Sequence, residues 1–137
     1  MDSSKANALS VYKTKPFARF ARKARITDTD LLQSVNLANQ GGIDADLGAG
    51  VIKQRIARSG EGKSGGSRSI VLFRKDDRAI FVYGFEKKDR ANLRTDELEA
   101  FRELARVVLN YSEAEMSKRV QDGALIRVEQ AKEEENA

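Results

Sequence analysis

The sequence predicts an α/β domain of the α+β kind, with helices at both ends of the chain packed on a small, antiparallel-rich sheet built from its middle. Three observations carry that prediction. Apolar residues recur at helical spacing in the N-terminal and C-terminal thirds, three runs between them are strand-like, and the last two runs are joined by a short polar link.

The elements follow in order. Met1 to Ala8 is small and polar and reads as a flexible tail (residues 1–8), which sets a single domain at residues 9–128 and leaves residues 129–137 as an acidic C-terminal tail. Leu9 to Tyr12 reads as a short first strand. Thr14 then caps a helix with Pro16 in its first turn, where a missing N–H costs nothing. Phe17, Phe20, Ala21 and Ala24 line one side of that helix, with Arg19, Arg22 and Lys23 on the other. Thr27 with Asp30 resembles a capping box for a second helix, whose apolar stripe is Leu31, Val35 and Ala38 and which Gly41-Gly42 ends. The strand-like runs are Val51 to Ala57, Ser69 to Phe73 and Ala79 to Phe85, and Lys75-Asp76-Asp77-Arg78 reads as the hairpin turn between the last two. Continuous apolar stretches such as Ile70-Val71-Leu72 imply a sheet covered on one face and partly covered on the other. Asp96 is the expected cap of a helix over Glu97 to Leu109, Ser112 and Glu115 form a capping box for a short helix ending at Gly123, and Leu125 to Val128 reads as a last strand.

Composition narrows the chemistry. The 137 residues include neither Cys nor His, so disulfides, a thiolate zinc site and the commonest general base are all excluded. No metal and no cofactor is expected, and catalysis would have to use Lys, Arg, Tyr, Asp or Glu. No apolar run approaches the ~20 residues that span a bilayer, and the N-terminus lacks a secretory core, so a cytoplasmic protein with no membrane partner is expected. The net charge of +4 is unevenly spread: Val51 to Arg90 carries 11 basic against 5 acidic side chains, whereas Ala91 to Ala137 carries 7 against 11. A basic middle third is either the footprint of a polyanion partner or a plain solvated surface.

Spacing favours the partner. Lys53 and Arg55 alternate onto one strand face about 6.6 Å apart, and two such charges cannot both be buried without partners. Either they line a solvent groove or they pair with acids; Glu61 is the only acid close in sequence, which favours a groove. The loop from Ser59 to Arg68 holds four glycines within seven residues, with Lys63 inside it, and reads either as a backbone that can approach a ligand or as a long soluble hairpin loop. Arg68 opens the next strand. The hairpin should return Lys87, Lys88 and Arg90 toward Arg68, and Tyr83 and Phe85 share a face that is either a stacking platform or core, with core favoured for Phe85. Arg58, Lys63, Lys87, Arg90 and Tyr83 are the expected RNA-binding residues. Ala57 to Ser64 nearly fits a phosphate-binding loop, but Gly65-Gly66-Ser67 and a strand follow where a helix must start, so nucleotide hydrolysis is set aside.

Lys53-Gln54-Arg55, the glycine loop, Gly66-Ser67-Arg68-Ser69-Ile70 and Gly84-Phe85-Glu86-Lys87-Lys88-Asp89-Arg90 resemble the RelE/HigB superfamily of bacterial type II toxins, and the long loop resembles its HigB-like branch. The resemblance implies N-terminal helices packed on a small sheet with C-terminal helices after it. It also implies messenger RNA cleavage in the ribosomal decoding site, and a cognate antitoxin encoded beside the toxin. Residue by residue, it puts Lys53, Arg55, Arg68 and Lys88 in the catalytic set. Leu93 and Arg94 stand where some members carry a tyrosine. The implied chemistry is attack of a ribose 2′-OH on the neighbouring phosphate, with Lys53 as base, Arg55 and Arg68 as phosphate clamps, and Lys88 as acid or clamp. Two other readings share the fold: a ParE-like, gyrase-inhibiting relative and a non-cleaving nucleic-acid-binding protein.

Overall fold

A computed structural model describes residues 9–57 and 66–129; the expected N-terminal tail, residues 58–65 with Arg58, Lys63 and most of the glycine loop, and residues 130–137 lie outside the described residues. The chain runs β1 (Ser10–Thr14), α1 (Lys15–Ala24), α2 (Asp28–Asn39), β2 (Ala45–Gly48), β3 (Val51–Ile56), β4 (Ser67–Arg74), β5 (Arg78–Glu86), α3 (Thr95–Val108), α4 (Glu113–Asp122) and β6 (Leu125–Arg127). The strands form one sheet in the order β2-β3-β4-β5-β1-β6, in which only β1 and β5 are parallel. This is the α+β architecture the sequence predicts.

Local chemistry fixes most helix ends. Thr14 Oγ1 accepts from the Phe17 N–H at 3.3 Å, and Pro16 sits in the first turn of α1. Thr27 and Asp30 form a reciprocal capping box for α2, as do Ser112 and Glu115 for α4, and Gly123 ends α4 in the left-handed region. The start of α3 differs from the sequence reading. Its N-cap is Arg94 rather than Asp96, because the Glu97 carboxylate reaches back to the Arg94 N–H at 2.8 Å. The first strand is shifted to Ser10–Thr14, and β2 is a strand the sequence reading did not find.

The pleat sorts side chains onto two cores. Val11, Ile52, Ile56, Val71 and Phe81 meet Phe17 and Ala21 of α1 and Leu31 and Val35 of α2 on one face. Tyr12, Val51, Ile70, Leu72, Ile80 and Phe85 meet Ala105, Val108 and Met116 of α3 and α4 on the other. Each fully buried aliphatic or aromatic side chain stabilises by about 1.5–3 kcal/mol, so both faces must be apolar wherever helices cover them. Ile70 pairs with Tyr83 but Val71 pairs with Phe81, so β5 carries an extra residue at Val82. This bulge sends Phe81 to the α1–α2 core and turns Tyr83 and Phe85 to the opposite face. Gln54 is buried (1% exposed) beneath α2; its Nε2 donates to the Ser34 and Gly42 carbonyls and its Oε1 accepts from the Asp44 N–H. That one amide ties β3 to the end of α2 and the approach to β2, and fixes which face Lys53 and Arg55 occupy.

Candidate nucleic-acid interface

The β3–β4–β5 register builds the site. Lys53 stands opposite Ile70, Arg55 opposite Arg68, and Arg68 opposite Phe85, so all share the face that α3 and α4 cover further along. At this end the helices do not reach, and cations replace the apolar residues. Arg55 is exposed, and Arg68 and Lys53 are half-buried. Like charges directly opposite on an antiparallel pair are destabilising, by roughly the 0.2–1 kcal/mol that opposite-charge pairs contribute. Among the described residues nothing offsets that: the Arg68 Nη1 donates to the Ser67 carbonyl at 3.4 Å, and neither guanidinium is ion-paired. Lys53 Nζ has one long contact, to Asn92 Oδ1 at 3.4 Å. Asp44 lies nearby, but its carboxylate accepts from the Arg55 backbone N–H rather than the side chain.

Two glycines make room here. A Cβ on Gly66 would sit 2.6 Å from Arg68 Nη1, so the guanidinium folds over a bare backbone. A Cβ on Gly84 would meet the Phe20 ring at 2.3 Å, so α1 packs closely on the back of β5, the strand beside Arg68, while α2 backs β3.

The remaining expected residues divide. Lys87 and Lys88 are exposed in the turn just past β5, which the Lys87 N–H ties to the Gly66 carbonyl at 2.9 Å. They therefore sit at the Arg68 end of the sheet. Phe85 is core. Tyr83 is half-buried, and its hydroxyl accepts from Arg90 Nη1 at 3.0 Å. Arg90 was expected to face RNA, but its guanidinium is spent internally. It holds Glu97 through two bonds, Nη2–Oε1 at 2.6 Å and Nη1–Oε2 at 3.1 Å, and lies 5.9 Å from the Tyr83 ring centre and 5.8 Å from that of Phe85. The Arg90 side chain, followed by the Arg94 N–H, holds the Glu97 carboxyl down to about 2, and Glu97 in turn raises Arg90. Asn92 and Glu97 were missed in the sequence, because their roles depend on how the turn after β5 folds back.

No described helix is long and apolar enough to cross a membrane, and no group of three or more His, Cys, Asp or Glu among the described residues could hold a metal ion. A cavity of about 180 Å³ between α3, α4 and the sheet is lined by Leu72, Ile80, Leu104, Val108 and Leu125, with Arg119 at its wall, and contains none of the converging cations. The converging cations lie outside it, on the open end of the sheet.

A family model for the RelE toxin of the RelE / RelB toxin-antitoxin system matches residues 9–128. The chain belongs to the RelE toxin family. No curated protein matches the chain. Membership makes this RelE-family protein the toxin member of a toxin-antitoxin system, with a cognate antitoxin as its partner.

Proposed function

We propose that this RelE-family toxin is an endoribonuclease of the HigB-like branch, needing no metal, that cuts messenger RNA in the ribosomal decoding site of the bacterial cytoplasm. The observation that carries the reading is the Arg55–Arg68 opposition without a carboxylate partner among the described residues. An anionic phosphodiester supplies the charge that the pair lacks.

In the proposed reaction the ribose 2′-OH loses its proton to Lys53, O2′ bonds to the adjacent phosphorus, and the P–O5′ bond breaks. The leaving O5′ takes a proton from Lys88 or water, leaving a 2′,3′-cyclic phosphate and a 5′-hydroxyl. Arg55 and Arg68 hold the non-bridging oxygens as charge builds on them, and Lys88 is the alternative third clamp; one such donor contributes about 10²–10³ in rate. Arg58, Lys63 and Lys87 hold the flanking backbone, Tyr83 offers its ring to a base, and Arg90 acts on RNA through the position it gives Tyr83. The antitoxin, encoded by the adjacent gene, silences the toxin by covering this cationic face.

The test is cleavage of a defined message on translating ribosomes, with new 5′ ends mapped for wild type, Lys53→Ala and Arg68→Ala. Loss of cleavage in both variants with retained folding is expected; full activity in either removes its assigned role. Leu93 and Arg94, at the position where some members of the family carry a tyrosine, favour a second reading as a non-cleaving RNA binder. Salt-dependent ribosome binding with no new 5′ ends is its signature.

A further inference from the structure

Helix α1 carries a second cationic surface on the far side of the sheet. Apart from Pro16, every exposed position of α1 is Lys or Arg, and Arg25 continues the series just beyond its end. There is no acid between Lys15 and Arg25. Lys15 leans toward Gly123 at the end of α4, which leaves Arg19, Arg22, Lys23 and Arg25 facing solvent. Among the described residues none of these four has an ion-pair or side-chain hydrogen-bond partner. Arg19, Arg22 and Lys23 fall at i, i+3 and i+4, one face of the helix, with about 6 Å of rise from first to last.

A surface helix that needs only solubility interleaves both signs, and α3 of this chain does so: Arg102 pairs with Glu99 at 3.0 Å and Arg106 with Glu103 at 2.6 Å. The α1 face is therefore not the protein's ordinary surface. A basic amphipathic helix can also lie on a membrane, but it must then insert its apolar face. Here that face is used: Phe17 is 1% exposed and packs 5.1 Å from the Phe81 ring. What remains is a purely cationic strip with no apolar rim of its own, the footprint that suits a phosphate backbone better than a protein surface.

We propose that Arg19, Arg22, Lys23 and Arg25 bind the phosphodiester backbone of a second, folded RNA segment, separate from the strand held at Arg55 and Arg68. Because Phe20 lies on Gly84, α1 covers the back of β5, the strand next to Arg68, on the face of the sheet opposite the cations. The toxin is gripped from both sides, with one RNA segment on each. The inference goes beyond the cleavage reading, since it requires RNA binding and no chemistry.

The experiment measures affinity of the full chain for a 2′-O-methyl RNA hairpin, which cannot be cleaved, across a salt series. Wild type is compared with Arg19→Gln/Arg22→Gln/Lys23→Gln and with Arg55→Ala/Arg68→Ala; glutamine keeps helix propensity close to that of Arg and Lys. Each lost phosphate contact lowers the slope of log K against log salt by about 0.7–0.9, so the α1 variant should lose about 2–3 in slope. Its cleavage of a defined message on translating ribosomes at saturating toxin should match wild type. If wild type makes no new 5′ ends on translating ribosomes while the α1 slope loss persists, the cleavage reading falls and this one stands. An unchanged slope in the α1 variant overturns the proposal, and if that variant instead loses its antitoxin, the face serves an acidic protein.

Discussion

Strand β4 carries an arginine at each end of one face, and each stands opposite another arginine. At the hairpin end Arg74 faces Arg78; at the open end Arg68 faces Arg55. The first pair is neutralised. Arg78 is 6% exposed at its side chain, with Asp77 and Glu113 each at 3.3 Å and the Val108 carbonyl at 3.1 Å, while Arg74 reaches Asp77 at 3.4 Å and Asn110 at 3.0 Å. The second pair has no carboxylate partner among the described residues. Identical residues in the same sheet geometry thus serve opposite ends: one pair fastens α3 and α4 to the hairpin, and the other is the pair we propose for an anion. Positive charge alone does not mark a binding site; positive charge that the fold declines to neutralise does.

The largest effect that would break this contrast is on cleavage. Arg68→Ala or Arg55→Ala should lower the single-turnover cleavage rate by about 10²–10³. The melting temperature should hold or rise slightly, because a like-charge opposition is relieved; a rate near wild type would make the pair ornamental. Gly66→Ala sharpens the point without touching a charge. Its new methyl must push the Arg68 guanidinium aside, and a rate loss of about tenfold to a hundredfold is expected, since small misplacements of a clamp are costly. Arg78→Met should do the reverse. It leaves cleavage per folded molecule intact and destabilises by about 1–3 kcal/mol in denaturant melts, as the Val108 carbonyl loses its buried donor.

The smallest effect lies in acid. The Glu97 carboxyl is held at about 2, below its ordinary 4.5. Its stabilisation is complete above the unfolded value and is lost as pH falls through about 2. The melting-temperature gap between wild type and Glu97→Gln should thus stay constant from pH 7 to about pH 5 and close toward pH 2. A gap independent of pH would show that the Arg90–Glu97 pair contributes nothing.

What could be read in the sequence was local. The Thr27–Asp30 and Ser112–Glu115 boxes, Pro16 in the first turn of α1 and the Lys75–Arg78 turn involve neighbours within four residues, and all appear in the fold. Strand β2 was invisible because Ala45–Gly48 is short and acidic and ends in glycine, and it is an edge strand held partly through Gln54. The Val82 bulge left no mark in an apolar run where every residue suits either face. At the site, alternation already placed Lys53 and Arg55 together, but the opposition of Arg55 and Arg68 needed the inter-strand register. The capture of Arg90 by Glu97 needed the fold of the turn between them, and a sequence spacing of seven residues across a loop predicts no contact.

The most direct measurement is a thermal melt of wild type and Arg55→Ala/Arg68→Ala, each with and without saturating 2′-O-methyl RNA spanning a cleavage site. If the unneutralised pair exists to grip a phosphodiester, the free variant melts at or above wild type and RNA raises the wild-type melting temperature far more than the variant's. Equal stabilisation of both proteins by RNA, or a free variant that melts well below wild type, would mean that the two arginines serve the fold and not the RNA.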